Sequence, residues 1–346
     1  MCNIAGYVGT KPAAPILVDM MRRQEGWDCG HYTGVATLDN GKLHVEKVVG
    51  DLDIFLARKD LAQLPGTIGM IHSRTPGGLG QKNDNWAHPF LATGGRMAYI
   101  ANGCGGVFKN WPKEKGTEVY KKLRAAGYVF GTATEEGNNQ KNCMPDGYYV
   151  HSSEIVCQDT QYYADRGMRF LDACDTACTL RPSERVGLFL TEDEPDCIVW
   201  ARINYPMFVG VADHGMYMAT TPQAMPEDAR NITLLTPLSV GKVYADRVET
   251  RPNISTEVTI APITPSVWKA CYEAMEKELS EKETDHDSLD KLIRPLFSEA
   301  TCPPESAVNY AIMNEFERSG RLQINRYRVP GTAPDATAPT LKATLK

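Results

Sequence analysis

A cysteine stands second in this chain, in "MCNIAGYVG". With Met1 removed, Cys2 carries a thiol and a free α-amine on one residue. The thiolate is the reactive form, and an ordinary thiol titrates at roughly 8.5. An α-amine titrates at about 7.7 to 8.0, so near neutrality it can take the thiol proton without help from a histidine. The competing reading makes Cys2 a small apolar residue that opens a buried strand. Three further segments carry groups suited to acyl chemistry. "HSR" at 72–74 ends an apolar run with Arg74, whose guanidinium can grip a carboxylate through two parallel hydrogen bonds. "ANG" at 101–103 ends another run with Asn102 and Gly103. The Asn102 amide and the Gly103 N–H can converge on a developing oxyanion, and one such donor is worth on the order of 3 kcal/mol. "WAHPF" at 86–90 lies between these two segments. Taken singly, Arg74 also reads as a surface salt bridge and Asn102-Gly103 as a turn. Cys174 and Cys178 stand four residues apart on a helical pattern, but no His or Cys lies nearby at ligand spacing, so no metal site is read there.

These groups need strands that end near one another. Asn3 to Gly9 reads as a strand. Pro15 to Glu25 has helical periodicity, with Ile16, Met20 and Met21 on one face and Arg22, Arg23 and Glu25 off it. Asp39-Asn40-Gly41 between two alternating runs signals a hairpin. Residues 66–74 and 96–103 read as strands. "GTEVYKKLRAAGY" reads as a helix with Thr117 as N-cap and Gly127 as its stop. Residues 131–147 are polar and turn-rich, which reads as a surface loop, and helices follow near 153–165 and 168–179. Strands and turns dominate 185–248. Strands, then helices, then strands favour antiparallel sheets with helices outside over alternating βαβ units. After about residue 255 come three helical patterns and a Pro/Ala/Thr-rich end, "PGTAPDATAPTLKATLK", which reads as a loose tail.

Composition bounds the function. The chain has 346 residues, 42% hydrophobic and 23% charged, which suits a globular protein with one large core or two smaller ones. A net charge of -6 without a basic run argues against sequence-independent nucleic-acid binding. No apolar stretch reaches the length of a membrane span, and no secretory signal is read. The ten scattered cysteines therefore read as thiols in a reducing cytoplasm. No cofactor or metal is called for.

In order and spacing, the chain resembles the class II glutamine amidotransferases, a family of N-terminal-nucleophile hydrolases. It is similar in particular to the glutaminase half of glucosamine-6-phosphate synthase. The matching segments are "MCNIAGYVG", "YTGVATLDNGKL", "GTIGMIHSR", "NWAHPF", "YIANG", "LRAAGYVF", "SSEIV" and "ARINYPMFVGVADHGMYMATTPQAM". They cover roughly the first 250 residues. The resemblance implies an α+β fold, a four-layer αββα sandwich with Cys2 at the tip of a central strand. It divides the chain into an amidotransferase domain, 2–255, and a small C-terminal helical extension, 256–346. It implies that Cys2 attacks the side-chain amide of glutamine, giving a γ-glutamyl thioester, ammonia and, after hydrolysis, glutamate. Cys2 is then nucleophile and base, Asn102 with Gly103 the oxyanion hole, and Arg74 the carboxylate clamp.

Several positions depart from the family. Asn3 follows Cys2 where the family has glycine. "TPGGLG" follows Arg74, so Thr75 stands where a gating tryptophan is usual. Ser152 stands where an acidic residue receives the substrate's α-ammonium. The family's "RGYDSAG" arginine is missing from "WDCGHYTG", and 131–147 is an insertion. Beyond residue 255 there is no phosphate-cradling loop, so ammonia would pass to a separate acceptor protein. Two rival readings remain: a hydrolase of another amide, and a catalytically silent amino-acid-binding regulator. Oligomeric state is left open.

Overall fold

The computed structural model describes residues 2–76, 83–103, 113–137, 142–179, 185–254 and 258–346. In chain order, β1 is Asn3–Gly9, α1 Ala13–Gln24, β2 Tyr32–Asp39, β3 Lys42–Val49, α2 Leu52–Arg58, β4 Ile68–Arg74, β5 Phe90–Leu91 and β6 Met97–Gly103. Three helices follow: α3 Lys113–Ala125, α4 Ser152–Ala164 and α5 Phe170–Thr179. Next come β7 Arg185–Thr191, β8 Ile198–Arg202, β9 Phe208–Ala212, β10 Gly215–Ala219, β11 Arg230–Leu234, β12 Ser239–Val243 and β13 Val248–Pro252. The remainder folds as α6 Pro265–Glu281, α7 His286–Ile293, α8 Glu305–Arg318, and the strands β14 Leu322–Pro330 and β15 Thr337–Leu345.

Two antiparallel sheets form the middle of the molecule. One has seven strands in the order β11-β9-β10-β1-β4-β2-β3, the other six in the order β13-β12-β8-β7-β6-β5. The two-residue period of a strand decides what each face touches. In β1, Ile4 and Val8 join a cluster between the sheets with Met70, Ile100, Leu188 and Trp200. Ala5 and Tyr7 face the other way, into a cluster with Leu17 and Met20 of α1. The outer face of the second sheet is closed by α3, α4 and α5, through Tyr99 and Phe189 packed with Leu123, Ile155, Cys174 and Cys178. The four layers are therefore helix, sheet, sheet, helix, the αββα sandwich expected from the sequence. At the β2–β3 hairpin, Asn40 and Gly41 both take positive φ, as an Asn-Gly two-residue turn requires.

Three local readings change. The helix α1 ends at Gln24, and Glu25 turns extended. Glu25 thus leaves the helical period that placed it outside and is buried, 4% exposed. The third helix begins at Lys113, so Thr117 lies inside it. The Thr117 hydroxyl donates to the Glu114 carbonyl at 2.8 Å and caps nothing. Its C-terminal stop holds: Gly127 takes φ 87° and Tyr128 N–H closes back on the Leu123 carbonyl. The C-terminal end is no loose tail, because β14 and β15 pair over nine residues each, from Leu322↔Leu345 to Pro330↔Thr337. The ribbon is pinned to the body: Leu341 N–H donates to the Gly26 carbonyl at 2.8 Å, and Ala343 and Thr284 exchange two bonds of 2.9 Å. A Cβ on Gly26 would meet the Leu341 side chain at 2.8 Å, so the ribbon approaches as closely as glycine allows.

Buried packing crosses residue 255. Leu17, Met20 and Met21 of α1 share one buried cluster with Met275, Leu289, Ile312, Phe316 and Leu341. The outer layer over the first sheet is built from both ends of the sequence. No described helix is long and apolar enough to cross a membrane.

Candidate active site

The register of the first sheet sets the site. Asn3 pairs with Ser73, and Tyr32 pairs with Arg74. Cys2, one residue before β1, and Arg74, the last residue of β4, therefore lie at the same sheet end. The second sheet brings β6 to this end. His72 Nε2 lies 2.9 Å from the Ala101 carbonyl, a bond across the two sheets, and Asn102 and Gly103 follow Ala101 directly. Four of the five residues singled out in the sequence thus meet at one end of the sandwich. Met1 lies outside the described residues.

Each has a distinct environment. Cys2 is a half-buried free thiol. Arg74 is 7% exposed. It donates from Nη1 to the Trp86 carbonyl at 3.2 Å, and its guanidinium lies 4.5 Å over the Tyr32 ring. Burial pulls its pKa down, while Tyr32 and Cys2 push it back up as counter-charges. Among the described residues no carboxylate forms an ion pair with it. Asn102 is fully buried, and among the described residues neither its Nδ2 nor its Oδ1 has a hydrogen-bond partner. Gly103 takes φ 89°, a left-handed conformation that turns the chain out of the strand at little cost only for glycine. Asn3, also fully buried, is satisfied in the orientation that lets its amide nitrogen donate to the Gln24 and Trp27 carbonyls, 3.2 Å each.

Ser152 is the first residue of α4 and is 2% exposed. It reaches the group through its neighbour His151, whose Nδ1 accepts from Ser153 N–H at 3.1 Å and caps the helix. The His151 ring packs on Trp86 at 5.6 Å between centroids. Glu154 is engaged elsewhere: it accepts from the backbone N–H of Gly131 at 2.7 Å and of Thr132 at 3.0 Å.

Two features escaped the sequence. Glu25 lies behind the first sheet, accepting from Ser73 Oγ at 2.9 Å and from Leu52 N–H at 3.0 Å. Burial pushes its carboxyl up to about 7, and the charge of Asp51 adds to this. The second feature is a histidine wall. His72 stacks on His88 at 3.9 Å between centroids, and His88 meets His151 edge-on at 5.2 Å. Burial holds all three uncharged: His72 is pulled down to about 3, and His88 and His151 fall well below the usual histidine range. The signal was present in "HSR", "WAHPF" and "HSSE", each of which supplies one of the three. Among the described residues no group of His, Cys, Asp or Glu is placed to hold a metal ion.

No protein-family model matches the chain. In sequence it is 28% identical over 256 residues to glutamine–fructose-6-phosphate aminotransferase (isomerizing) of Caldanaerobacter subterraneus subsp. tengcongensis, covering 72% of this chain and 36% of the relative. It is 29% identical over 249 residues to the enzyme of the same name from Bacteroides thetaiotaomicron, covering 68% and 34%. The chain thus spans about a third of the length of these curated relatives. In structure it resembles glutamine phosphoribosylpyrophosphate amidotransferase from B. subtilis, with a TM-score of 0.58 and 15% identity over 94% of this chain and 67% of the other. A structure described as the allosteric regulatory enzyme of purine biosynthesis gives 0.59 and 15% identity over 98% and 71%. The resemblance to glutamine amidotransferases stands, and the fold is shared with glutamine phosphoribosylpyrophosphate amidotransferase.

Proposed function

We propose that the chain catalyses the class II amidotransferase half-reaction in the cytoplasm, releasing ammonia from glutamine for an acceptor on a separate protein. With Met1 removed, the Cys2 amine takes the thiol proton and Sγ attacks the side-chain carbonyl carbon of glutamine. The carbonyl oxygen becomes an oxyanion held by Asn102 Nδ2 and Gly103 N–H. The C–N bond then breaks, the α-ammonium of Cys2 returns its proton to the leaving nitrogen, and a γ-glutamyl thioester and ammonia result. Water, deprotonated by the same amine, attacks the thioester carbon; the C–S bond breaks, the α-ammonium returns the proton to Sγ, and glutamate is released. Arg74 holds the α-carboxylate throughout. The observation that carries this reading is Asn102: a fully buried amide whose two polar atoms have no partner among the described residues, at the same end of the sandwich as Cys2 and Arg74. An unpaired buried polar group costs about 1–3 kcal/mol, and a substrate oxygen would offset that cost.

Ser152 favours a second reading, hydrolysis of an amide that lacks the α-ammonium. A hydroxyl stands where the family has a carboxylate, Glu154 is engaged with the 131–132 backbone, and the histidine wall is uncharged. One assay tests both. Ammonia release is measured from glutamine and from its des-amino analogue, 4-carbamoylbutanoate, with wild type, Cys2→Ala and Ser152→Asp. The first reading expects glutamine turnover that Cys2→Ala abolishes and a glutamine preference that Ser152→Asp sharpens. No turnover of either amide by a protein whose intact mass shows Met1 removed would end it.

A further inference from the structure

A cavity of about 370 Å³, within the size range of small-molecule sites, opens beside the end of β4. Thr75 and Pro76, which follow Arg74 directly, form one wall, and the 28–31 segment forms another. His31 ties the two together, its N–H donating to the Arg74 carbonyl at 3.0 Å. The C-terminal ribbon supplies a third wall, through Val329 of β14 and Pro339 and Thr340 of β15, with Asp287 of α7 beside them. The ribbon is seated on the 28–31 segment. His31 Nδ1 lies 3.0 Å from Thr332 Oγ1, and a Cβ on Gly30 would meet the Pro339 ring at 2.6 Å.

Every wall is a place where the chain departs from the family it resembles. "WDCGHYTG" supplies the 28–31 segment, "TPGGLG" supplies Thr75 and Pro76, and the ribbon and α7 lie beyond the segments that carry the resemblance. A further departure is Ser152, a hydroxyl where a carboxylate would take an α-ammonium. Its neighbour His151 packs on Trp86, and Trp86 offers Arg74 its carbonyl. Arg74 is thus linked to both, to the Ser152 group through its guanidinium and to the cavity through its backbone. The charges at the cavity are already answered. Asp28 is engaged by His286 and by the N-terminal ammonium, Asp287 pairs with Lys291 at 2.5 Å, and burial holds His31 below the usual histidine range. The rest of the lining is uncharged, most of it threonine, proline and valine. An acyl group on the α-nitrogen of glutamine removes that nitrogen's charge and adds bulk beside the α-carboxylate. Those are the two changes the departures make room for.

We propose that the substrate is a glutamine whose α-nitrogen carries a small neutral acyl group, seated in this cavity while Arg74 holds the α-carboxylate. The inference rests on the reading of Cys2 as nucleophile. Ser152 Oγ accepts from the neutral N–H, a bond that needs no carboxylate. The chemistry at the side chain is unchanged: the C–N bond of the amide breaks, ammonia leaves with the proton from the α-ammonium of Cys2, and water cleaves the thioester to the N-acylglutamate.

Ammonia release is measured with the full chain on L-glutamine and on N-acetyl-L-glutamine, and both are titrated calorimetrically into Cys2→Ala, which cannot form the thioester. N-acetyl-L-glutamine is expected to show the higher kcat/KM by about tenfold or more, and to bind Cys2→Ala more tightly by a similar factor. Val329→Trp, at a ribbon position 37% exposed, adds bulk to the cavity and should raise KM for N-acetyl-L-glutamine by about tenfold, with a smaller effect on that for glutamine. A kcat/KM for glutamine equal to or above that for N-acetyl-L-glutamine would overturn the acyl proposal and leave the reading of Cys2 standing. Tighter binding of N-acetyl-L-glutamine to Cys2→Ala, without turnover of either amide by wild type, would uphold recognition of the acyl group and end the reading of Cys2. Equal binding of the two, no saturable binding of either, or an unchanged KM in folded Val329→Trp would overturn the proposal.

Discussion

Replacing Asn102 with alanine separates a catalytic amide from a structural one, because a catalytic amide predicts almost no change in stability and a structural one a clear loss. The side chain is fully buried and makes no hydrogen bond among the described residues. Leaving its polar atoms unpaired costs about 1–3 kcal/mol, which the substitution relieves. Truncation removes three heavy atoms and leaves a void, a loss of roughly 1–2 kcal/mol at the low end of the large-to-small range. The two nearly cancel. At roughly 2 cal/mol/K of unfolding entropy per residue, 346 residues give about 0.7 kcal/mol/K, so each kcal/mol moves Tm by about 1.4 °C. Asn102→Ala should therefore melt within about 2 °C of wild type. Catalysis should behave differently: loss of one oxyanion donor lowers kcat by roughly 10²–10³-fold, with a much smaller change in KM. The measurements are glutamate formation across a glutamine series and a calorimetric melt on the same preparation. Unchanged kcat, or a fall in Tm of more than about 5 °C, would refute the reasoning and make Asn102 a structural residue.

Arg74→Lys should raise KM for glutamine by about tenfold with a smaller effect on kcat, since an ammonium cannot reproduce the guanidinium fork; equal KM in steady-state kinetics would make Arg74 structural. Glu25→Gln should flatten the pH dependence of stability. The folded carboxyl titrates near 7 and the unfolded one near 4.5, so wild type is stabilised by this group below about 4.5 and loses that contribution as pH rises through 7. Denaturant melts at pH 5 and 8 should therefore differ less in the variant, by at most about 3 kcal/mol; identical pH slopes would refute the assignment. A chain ending at Asn253 should lose cooperative melting, because Leu17, Met20 and Met21 lose the cover of α6, α7 and α8. A sharp calorimetric transition in that truncation would show the first 253 residues to be self-sufficient.

The sandwich was legible because its strands are strongly marked. β1, the Asn-Gly hairpin, and the polar endings of β4 and β6 all stand out as alternation or as a sudden change from apolar to polar residues. Register then does the rest: once Asn3 pairs with Ser73, the strand ends that carry Cys2 and Arg74 must meet. Glu25 was misplaced because periodicity was extended one residue past the true helix end, and the step from helical to extended backbone swings the next side chain inward. The ribbon was hidden by composition. Ala338, Leu341 and Ala343 are buried, yet Pro, Ala and Thr around them signal loops, and the strand exists through its contacts with Gly26 and Thr284. Thr117 failed as a cap because nothing in its local sequence reveals that the helix has already begun at Lys113. The histidine wall was missed for another reason: its members come from three separated segments, and only the fold stacks them.

The ribbon also imposes a schedule. Arg326 of β14 donates to the backbone carbonyl of Glu25 at 2.8 Å and to that of Arg22 at 2.7 Å, across sequence separations of 301 and 304 residues. The segment behind Cys2 is thus fastened by residues that leave the ribosome long after it. At synthesis rates of roughly 5–20 residues per second, about 15 to 60 seconds pass between Glu25 and the arginine that secures it. The surroundings of Cys2 are complete only after β14 has been made. A nascent chain therefore carries Cys2 in an unfinished setting for the roughly 300 residues of synthesis that separate Glu25 from Arg326.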